Sequence, residues 1–353
     1  MKIPELKPLL AERMKELLPD NEDFNSFLEI LKKPTLNSIR CNTLKISSEK
    51  LIIRLESKGW KINQPFKDYP EILIIEGKFD NNINKLNDKE VDSHTNNNYH
   101  FASDSERKLQ ELEPGELGRS LEHLLGYYYV QEIASMLPVL VLEPKPNEIV
   151  LDLCASPGSK TTQIAAKMQN TGTIIANEIS LGRIKILASN TERCGVTNTI
   201  ITKKEGTALC TKLKKEGFEC DRILIDAPCS GEGTLRSSPK TALMWNINTV
   251  KKLSKIQKNL LVAAIEILKN NGEIVYSTCT HAPEENEEVI DFILEKFKGK
   301  IILKKIKLPI KCRLGLKGWG GLEYNKELTN CCRIYPQDND TEGFFLAKLK
   351  KVK

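Results

Sequence analysis

The chain has 353 residues, of which 40% are hydrophobic, and a formal net charge of +6. A chain of this length can bury a large core, so one large domain with a smaller one is expected. No apolar run approaches the roughly 20 residues that a membrane-spanning helix needs, and the charged N-terminal stretch MKIPELKPLL is unlike a signal peptide. We therefore expect a cytoplasmic protein with no membrane partner, and the positive charge weakly favours an anionic one.

The N-terminal part alternates short helical and extended patterns. Apolar spacing predicts helices over residues 4–33, and the following elements are a strand at 38–42, a helix at 48–58 and strands at 60–62 and 71–75. This β-α-β-β order predicts a small α+β module over residues 1–78, ferredoxin-like or RNA-recognition-like in outline. It lacks the aromatic signature of a true RNA-recognition motif, so the pattern alone gives no function.

Residues 79–120 are rich in Asn and charge and have almost no apolar periodicity, which predicts a mobile insertion. Regular structure is expected again from Tyr127, within a larger domain over residues 121–353. Its seven predicted strands lie at 149–153, 173–177, 199–202, 222–225, 273–277, 301–306 and 344–349. Because helical patterns alternate with these strands, we predict an α/β fold with a mostly parallel, Rossmann-like sheet that binds ligands at the carboxyl ends of its strands.

The stretch EIVLDLCASPGSK, residues 148–160, predicts a buried strand, a turn of small residues and the start of a helix. Gly158, Ala155 and Ser156 let the backbone approach a nucleotide-like ligand without side-chain clash. The stretch contains neither GxGxxG nor a P-loop, since Leu153 stands five positions before Gly158 where a P-loop needs glycine. An ordinary strand-to-helix turn is the alternative interpretation.

Polar residues follow the predicted strands at what should be one edge of the sheet: Asp152, Glu178, Glu205, Asp226 and Cys279. This arrangement predicts a functional site. An acidic side chain at the position of Glu178 typically accepts hydrogen bonds from ribose hydroxyls. The alternative is that Glu178 helps Ser180 to cap the next helix.

The ten cysteines are scattered along the chain without a CxxC pair, which argues against a metal site and favours reduced thiols. Most cysteines are buried small hydrophobes, but Cys229 and Cys279 lie in polar turns just after predicted strands. A helix that opens near Pro283 favours the thiolate form of Cys279, and a thiolate in such a turn can act as a nucleophile.

Several stretches together resemble the NOL1/NOP2/Sun (RsmB-like) family of RNA 5-methylcytosine methyltransferases, of archaeal type, over nearly the whole chain. They are PTLNSIRCNTLKI, GYYYVQEIASMLP, LDLCASPGSKTTQIA, ANEIS, DAPCSGEGTLR, YSTCTHAPEENEEVI and GFFLAKLK. The resemblance implies a class I methyltransferase sheet, S-adenosylmethionine as cofactor, a tRNA or rRNA substrate, and an RNA-binding role for the N-terminal module. A monomer is expected.

The resemblance also implies roles for individual residues. Cys279 would add to carbon 6 of cytosine, Cys229 would assist loss of the carbon-5 proton and release of the enzyme, and Asp226 would orient the base at the edge of the cofactor site. Glu178 would hold the ribose, with Arg183 in support. The methionine part of the cofactor would be lined by Cys154, Ala155, Ser156, Pro157, Gly158, Ser159 and Lys160.

Two positions depart from the family pattern. After the third strand the family usually has Asp near the adenine, whereas this chain has Lys203-Lys204-Glu205, and we expect Glu205 to substitute. Gln337 stands after Tyr335-Pro336 where the family often has His.

The function hypothesis is an S-adenosylmethionine-dependent RNA cytosine-5 methyltransferase, with tRNA slightly favoured over rRNA. One alternative is a DNA cytosine-5 methyltransferase, whose nucleophile would be Cys229. The other is a catalytically silent RNA-binding or ribosome-assembly factor. In the RNA enzyme, we expect basic residues of the N-terminal part, including Lys32, Lys33 and Arg40, to contact phosphates.

Overall fold

The structure is a computed structural model that describes residues 6–79 and 108–352. Its helices are α1 (Pro8–Leu17), α2 (Asn21–Ile30), α3 (Ser48–Glu56), α4 (Glu116–Arg119), α5 (Leu121–Leu124), α6 (Ile133–Leu142), α7 (Ser159–Lys167), α8 (Leu181–Arg193), α9 (Gly206–Lys215), α10 (Lys240–Met244), α11 (Ile247–Glu266), α12 (Glu287–Lys296) and α13 (Pro336–Asn339). Short 3-10 helices lie at Glu232–Thr234, Pro283–Glu285 and Lys326–Asn330.

The strands are β1 (Ser38–Cys41), β2 (Trp60–Asn63), β3 (Ile72–Phe79), β4 (Leu109–Gln110), β5 (Tyr128–Val130), β6 (Ile149–Asp152), β7 (Thr173–Asn177), β8 (Thr199–Thr202), β9 (Cys220–Asp226), β10 (Leu268–Thr278), β11 (Ile301–Lys304), β12 (Arg313–Leu314), β13 (Gly318–Trp319), β14 (Leu322–Glu323), β15 (Cys332–Ile334) and β16 (Phe344–Lys351).

The chain divides into two compact units, a larger one of Met1–Thr35 and Gln131–Lys353 and a smaller one of Leu36–Val130. The boundaries predicted at 78 and 120 differ from this division, because α1 and α2 belong to the larger unit. Their buried side chains share one apolar cluster with residues far along the chain: Leu10, Met14, Leu18, Phe27, Leu235, Trp245 and Tyr335. Local periodicity predicts such a helix but not the unit on which its apolar face packs.

The larger unit contains a nine-stranded sheet in the order β12-β15-β16-β10-β9-β6-β7-β8, with β11 also paired with β16. Strands β10, β9, β6, β7 and β8 run parallel, whereas β16 pairs antiparallel with β10, β11 and β15. The α/β class with its Rossmann-like sheet is confirmed. The short strands β12 and β15 add to the seven predicted, since neither has enough residues to show a period.

The strand order places a switch point between β6 and β9. From β6 the chain continues outward through β7 and β8, and it then returns to the other side of β6 to form β9 and β10. Crevices at such a reversal, at the carboxyl ends of the strands, are where open α/β sheets bind ligands. The core beside these strands is formed by buried apolar side chains such as Leu151, Ile223 and Tyr276, against Leu260 and Leu261 of α11.

The smaller unit is an antiparallel sheet in the order β2-β3-β1-β5, with β4 paired with β3. Leu51 and Leu55 of α3 pack with Ile39 and Leu73 in its core. Arg40, expected to contact phosphate, is only 2% exposed, and its guanidinium lies over the ring of Tyr129. It is therefore not available as an exposed phosphate contact.

The predicted insertion over 79–120 lies partly outside the described residues, which omit 80–107. Within the described remainder, regular structure resumes at Leu109 rather than at Tyr127, because β4 pairs with the end of β3 and Leu117 is buried in the core. A single apolar residue such as Leu117 gives no periodicity, so the sequence pattern missed this order.

Cys312 and Cys332 form a disulfide, which corrects the expectation that the cysteines are all reduced thiols.

Within residues 6–79 and 108–352, no cluster of His, Cys, Asp or Glu is arranged to hold a metal ion. In the same ranges no helix is both long and apolar enough to cross a membrane.

Candidate active site

The turn after β6 combines a buried carboxylate with a backbone position that favours glycine. Asp152 ends the strand fully buried, and the hydroxyl of Thr161 donates a hydrogen bond of 2.7 Å to its Oδ2 atom. Its Oδ1 atom has no hydrogen-bond partner among the described residues, and burial raises the pKa of Asp152 to about 7. Gly158, the N-cap residue of α7, has φ +104, a backbone conformation that residues with a side chain rarely adopt.

Glu178, just after β7, is connected to this turn through Arg183. One carboxylate oxygen of Glu178 accepts from the backbone N–H of Ser180 at 2.8 Å, and the other lies 3.3 Å from the Arg183 guanidinium. Arg183 also donates to the carbonyl of Ser156 at 2.7 Å. Glu178 thus contacts the N-cap residue of α8, Ser180, whose side chain makes no capping hydrogen bond, and this contact leaves open a second role toward a ligand.

Asp226 and Lys160 form an ion pair at the ends of β9 and of the turn. Lys160 Nζ lies 2.7 Å from Asp226 Oδ2 and donates to the Ser135 hydroxyl at 3.0 Å. The Ser277 hydroxyl donates to Asp226 Oδ1 at 2.8 Å, so each carboxylate oxygen has one protein partner. Lys160 is 7% exposed, whereas the Asp226 side chain is 29% exposed, so the carboxylate side of the pair stays accessible.

The two cysteines of the polar turns are in contact, with 3.3 Å between the Sγ atoms of Cys229 and Cys279. Their turns are further joined by a 2.8 Å hydrogen bond between the hydroxyls of Ser230 and Thr280. The hydrogen bond with Cys279 and burial both raise the pKa of Cys229 well above its usual value. The raised pKa disfavours the thiolate form of Cys229.

Cys154 lies within electrostatic reach of the acidic residues. Burial raises the pKa of the Cys154 thiol, and the charges of Asp152, Asp226 and Glu178 raise it further. A raised pKa disfavours the thiolate, which is the form in which a cysteine acts as a nucleophile. The carboxyl ends of β6, β7 and β9 thus bring their polar residues together, as the strand alternation predicts.

Glu205 has a local role that the sequence did not indicate. It is the N-cap of α9, and its carboxylate accepts from the backbone N–H groups of Thr207 at 3.1 Å and Ala208 at 2.9 Å. These and the Thr207 hydroxyl outweigh partial burial and lower the pKa of Glu205. Any contact with an adenine remains a prediction.

Sequence patterns did not single out three buried polar side chains beside the site: Asn177, Gln257 and Glu285. Asn177 donates to the carbonyls of Leu153 and Lys204, at 3.2 and 3.0 Å, and so ties together the turns after β6 and β8. Its position as a polar residue at the end of an apolar strand is a signal that could have found it. Nothing in local spacing marks Gln257, which lies on an amphipathic helix.

Comparison with known proteins identifies related methyltransferases. A family model described as 16S rRNA methyltransferase RsmB/F matches residues 139–350. The tRNA (cytosine(49)-C(5))-methyltransferase of Pyrococcus abyssi (strain GE5 / Orsay) is 46% identical over 234 residues, 66% of this chain and 73% of that protein. Ribosomal RNA small subunit methyltransferase F of Psychromonas ingrahamii is 35% identical over 353 residues and is aligned with 99% of this chain. The chain spans 64% of the length of that relative.

Solved structures agree in fold. The crystal structure of PH0851 has a TM-score of 0.76 and 29% sequence identity, over 98% of this chain and 66% of that one. The crystal structure of NSun6 from Pyrococcus horikoshii with SFG has a TM-score of 0.75 and 27% identity, over 98% of both chains.

Proposed function

Because the chain belongs to the 16S rRNA methyltransferase RsmB/F family, we propose that it is an S-adenosylmethionine-dependent RNA cytosine-5 methyltransferase. The observation that carries this proposal is the 3.3 Å contact between Cys229 and Cys279 at the same sheet edge as the Asp226–Lys160 pair. Carbon 5 of cytosine is a poor nucleophile unless the ring is activated. Methyl transfer to it therefore needs a group that activates the ring, such as a cysteine sulfur, and polar groups that hold the base.

The residues of the turn between β6 and α7 fit S-adenosylmethionine. Gly158 keeps the start of α7 free of a side chain, and the unpartnered Oδ1 of Asp152 offers a buried acceptor for a cationic amine. Glu178 would accept from ribose hydroxyls, as carboxylates at this position do in nucleotide-binding sheets. When bound, the cofactor supplies the methyl group, and the solved NSun6 relative holds SFG, an analogue of it.

Asp226 and Lys160 would orient the base. The Asp226 carboxylate lies 2.7 Å from Lys160 Nζ. A carboxylate accepts hydrogen bonds, so Asp226 would hold the exocyclic amine of cytosine, and the ammonium of Lys160 would balance negative charge that develops on the ring.

The cysteines would carry the covalent steps. Attack by the Cys279 sulfur on carbon 6 forms a C–S bond and makes carbon 5 electron-rich, so that it accepts the methyl group. Loss of the carbon-5 proton, assisted by Cys229, then restores the ring double bond while the C–S bond breaks and Cys279 leaves. The raised pKa of Cys229 disfavours its thiolate, which supports Cys279 rather than Cys229 as the attacking sulfur.

The two alternative functions, a DNA methyltransferase and a silent assembly factor, predict other features of this site. A DNA enzyme with Cys229 as nucleophile has no need of a second cysteine, whereas here Cys279 touches Cys229. A silent assembly factor would not need both thiols and the Asp226–Lys160 pair to be retained. Between RNA classes we propose tRNA, on the 46% identity to the tRNA (cytosine(49)-C(5))-methyltransferase.

The experiment is methyl transfer from isotopically labelled S-adenosylmethionine to separate pools of total tRNA, total rRNA and genomic DNA. After digestion to nucleosides, label is expected in 5-methylcytidine from the tRNA pool. Label in 5-methylcytidine from rRNA alone would change the substrate class. Label in DNA, or in neither RNA pool while the cofactor binds, would overturn the proposed function.

A further inference from the structure

A buried carboxylate lies beside the turn that carries Cys229. Glu285, at the end of the 3-10 helix that follows the Cys279 turn, is 0% exposed. Its two oxygens accept from the backbone N–H of Ser230 at 3.1 and 3.3 Å. This N–H belongs to the residue directly after Cys229, so Glu285 fixes the peptide group on one side of that cysteine.

Gln257 of α11 fixes the peptide group on the other side. Its side-chain amide donates to the carbonyl of Pro228 at 2.8 Å and to Glu285 Oε2, also at 2.8 Å. Gln257 is 0% exposed as well. The two side chains therefore form a bracket, Gln257–Glu285, that contacts the residues before and after Cys229.

The bracket also connects the two cysteine turns. The hydroxyl of Tyr276, on β10, donates to the backbone carbonyl of Glu285 at 2.6 Å. Glu285 thus contacts the Cys229 turn with its side chain, while its backbone is anchored to the strand that leads to Cys279. A shift of Glu285 would change the position of Cys229 relative to Cys279.

Burial of the Glu285 carboxylate costs free energy, which indicates that the carboxylate has a role at this position. Burial raises the pKa of Glu285 to about 7, although the hydrogen bonds from Ser230 and Gln257 act in the opposite direction. An apolar side chain in the same place would pack without that cost, but it would leave the N–H of Ser230 without an acceptor. The geometry therefore favours a positioning role over packing.

We propose that Glu285 and Gln257 are positioning residues that hold the Cys229 thiol in place for the second half of the reaction, the release of the RNA from Cys279. This inference rests on the proposed function. Loss of the bracket side chains would leave attack by Cys279 possible, because the hydrogen bond from Tyr276 to the backbone carbonyl of Glu285 does not depend on them. Release would become slow, and the covalent protein–RNA adduct would accumulate.

The test compares full-length variants incubated with S-adenosylmethionine and total tRNA, with the adduct measured by denaturing electrophoresis. Glu285→Ala is expected to release RNA about ten-fold more slowly than wild type, the scale of one lost hydrogen bond to a charged group. Glu285→Gln keeps one acceptor oxygen, so its rate of RNA release should lie between those of wild type and Glu285→Ala. Gln257→Met should also accumulate adduct. The matched control is Glu284→Ala, since Glu284 pairs with Arg13 and not with the Cys229 turn.

Cofactor affinity and the unfolding midpoint are measured on each variant, so that a loss of folding is not mistaken for a loss of positioning. If Glu285→Ala does not fold, Gln257→Met and Glu285→Gln decide the outcome. If Cys229→Ala accumulates adduct while the folded bracket variants release RNA at the wild-type rate, the inference is overturned and the proposed function stands. If Cys229→Ala itself forms no adduct, the proposed function fails together with the inference.

Discussion

At the scale of single residues, Glu178 is the clearest test of the cofactor site. Its carboxylate is 4% exposed and is held by Ser180 and Arg183, so it is fixed before any ligand binds. Glu178→Ala should weaken S-adenosylmethionine binding by about 1.5–3 kcal/mol, the scale of a hydrogen bond to a charged group. Titration calorimetry measures this, with the exposed Glu192→Ala on α8 as control. Equal affinity in wild type and Glu178→Ala would remove Glu178 from the site.

Glu132 should make stability depend on pH. Burial raises the pKa of Glu132 from 4.5 to about 7, although its carboxylate accepts from the N–H groups of Ser135 and Glu342. The folded protein keeps this proton where the unfolded chain has released it, so unfolding releases a proton in that pH window and the free energy of unfolding falls as pH rises. Chemical denaturation between about pH 5 and pH 8 should show this fall, up to about 3 kcal/mol, relative to Glu132→Gln. Parallel pH profiles of the two proteins would contradict it.

At the scale of elements, the turn from β6 into α7 depends on Gly158. A Cβ atom there would lie 3.1 Å from the Leu187 side chain, on a backbone with φ +104. Gly158→Ala should therefore lower the free energy of unfolding by about 1–3 kcal/mol and weaken cofactor binding. Gly182→Ala is the matched control, because its Cβ would meet no atom within 4 Å, and it should be neutral or slightly stabilising. An equal effect of both substitutions on stability would contradict the role of Gly158.

The sequence predicts where the strands of the sheet lie better than it predicts which distant residues contact one another. The strands from β6 to β10 have continuous apolar runs that mark them, and each strand end supplies a polar residue, so the edge carrying Asp152, Asp226 and Cys279 could be predicted. Contacts between residues far apart in the chain could not, since no local period encodes them. Gln257 and Glu285, which meet at 2.8 Å across 28 positions, are an example.

At the scale of the whole molecule, the first 35 residues belong to the larger unit although the smaller unit follows them in sequence. Met14 is 0% exposed in the cluster with Trp245 and Tyr335, and Met14→Ala should cost about 2–5 kcal/mol of the free energy of unfolding. Leu9, which is 45% exposed on the same helix, gives the control Leu9→Ala with little expected effect. Unchanged stability of Met14→Ala in chemical denaturation would mean that α1 does not contribute to this core.

This assignment changes how RNA recognition should be tested. A truncation that removes residues 1–120 would delete Leu10, Met14 and Phe27 from the core of the larger unit, so a loss of RNA binding would not identify the smaller unit as the RNA reader. Substitutions of exposed lysines within the smaller unit avoid this problem. Their effect on affinity should shrink as salt rises, as expected for phosphate contacts.

In the proposed mechanism, Cys279 forms the bond to RNA and Cys229 resolves it. The most direct measurement is denaturing electrophoresis of Cys279→Ala and Cys229→Ala after incubation with RNA and S-adenosylmethionine. We predict that Cys279→Ala is inactive and never retains RNA, whereas Cys229→Ala turns over slowly and accumulates an adduct that survives denaturation. Retention of RNA by Cys279→Ala and none by Cys229→Ala would contradict these roles and assign the nucleophile to Cys229.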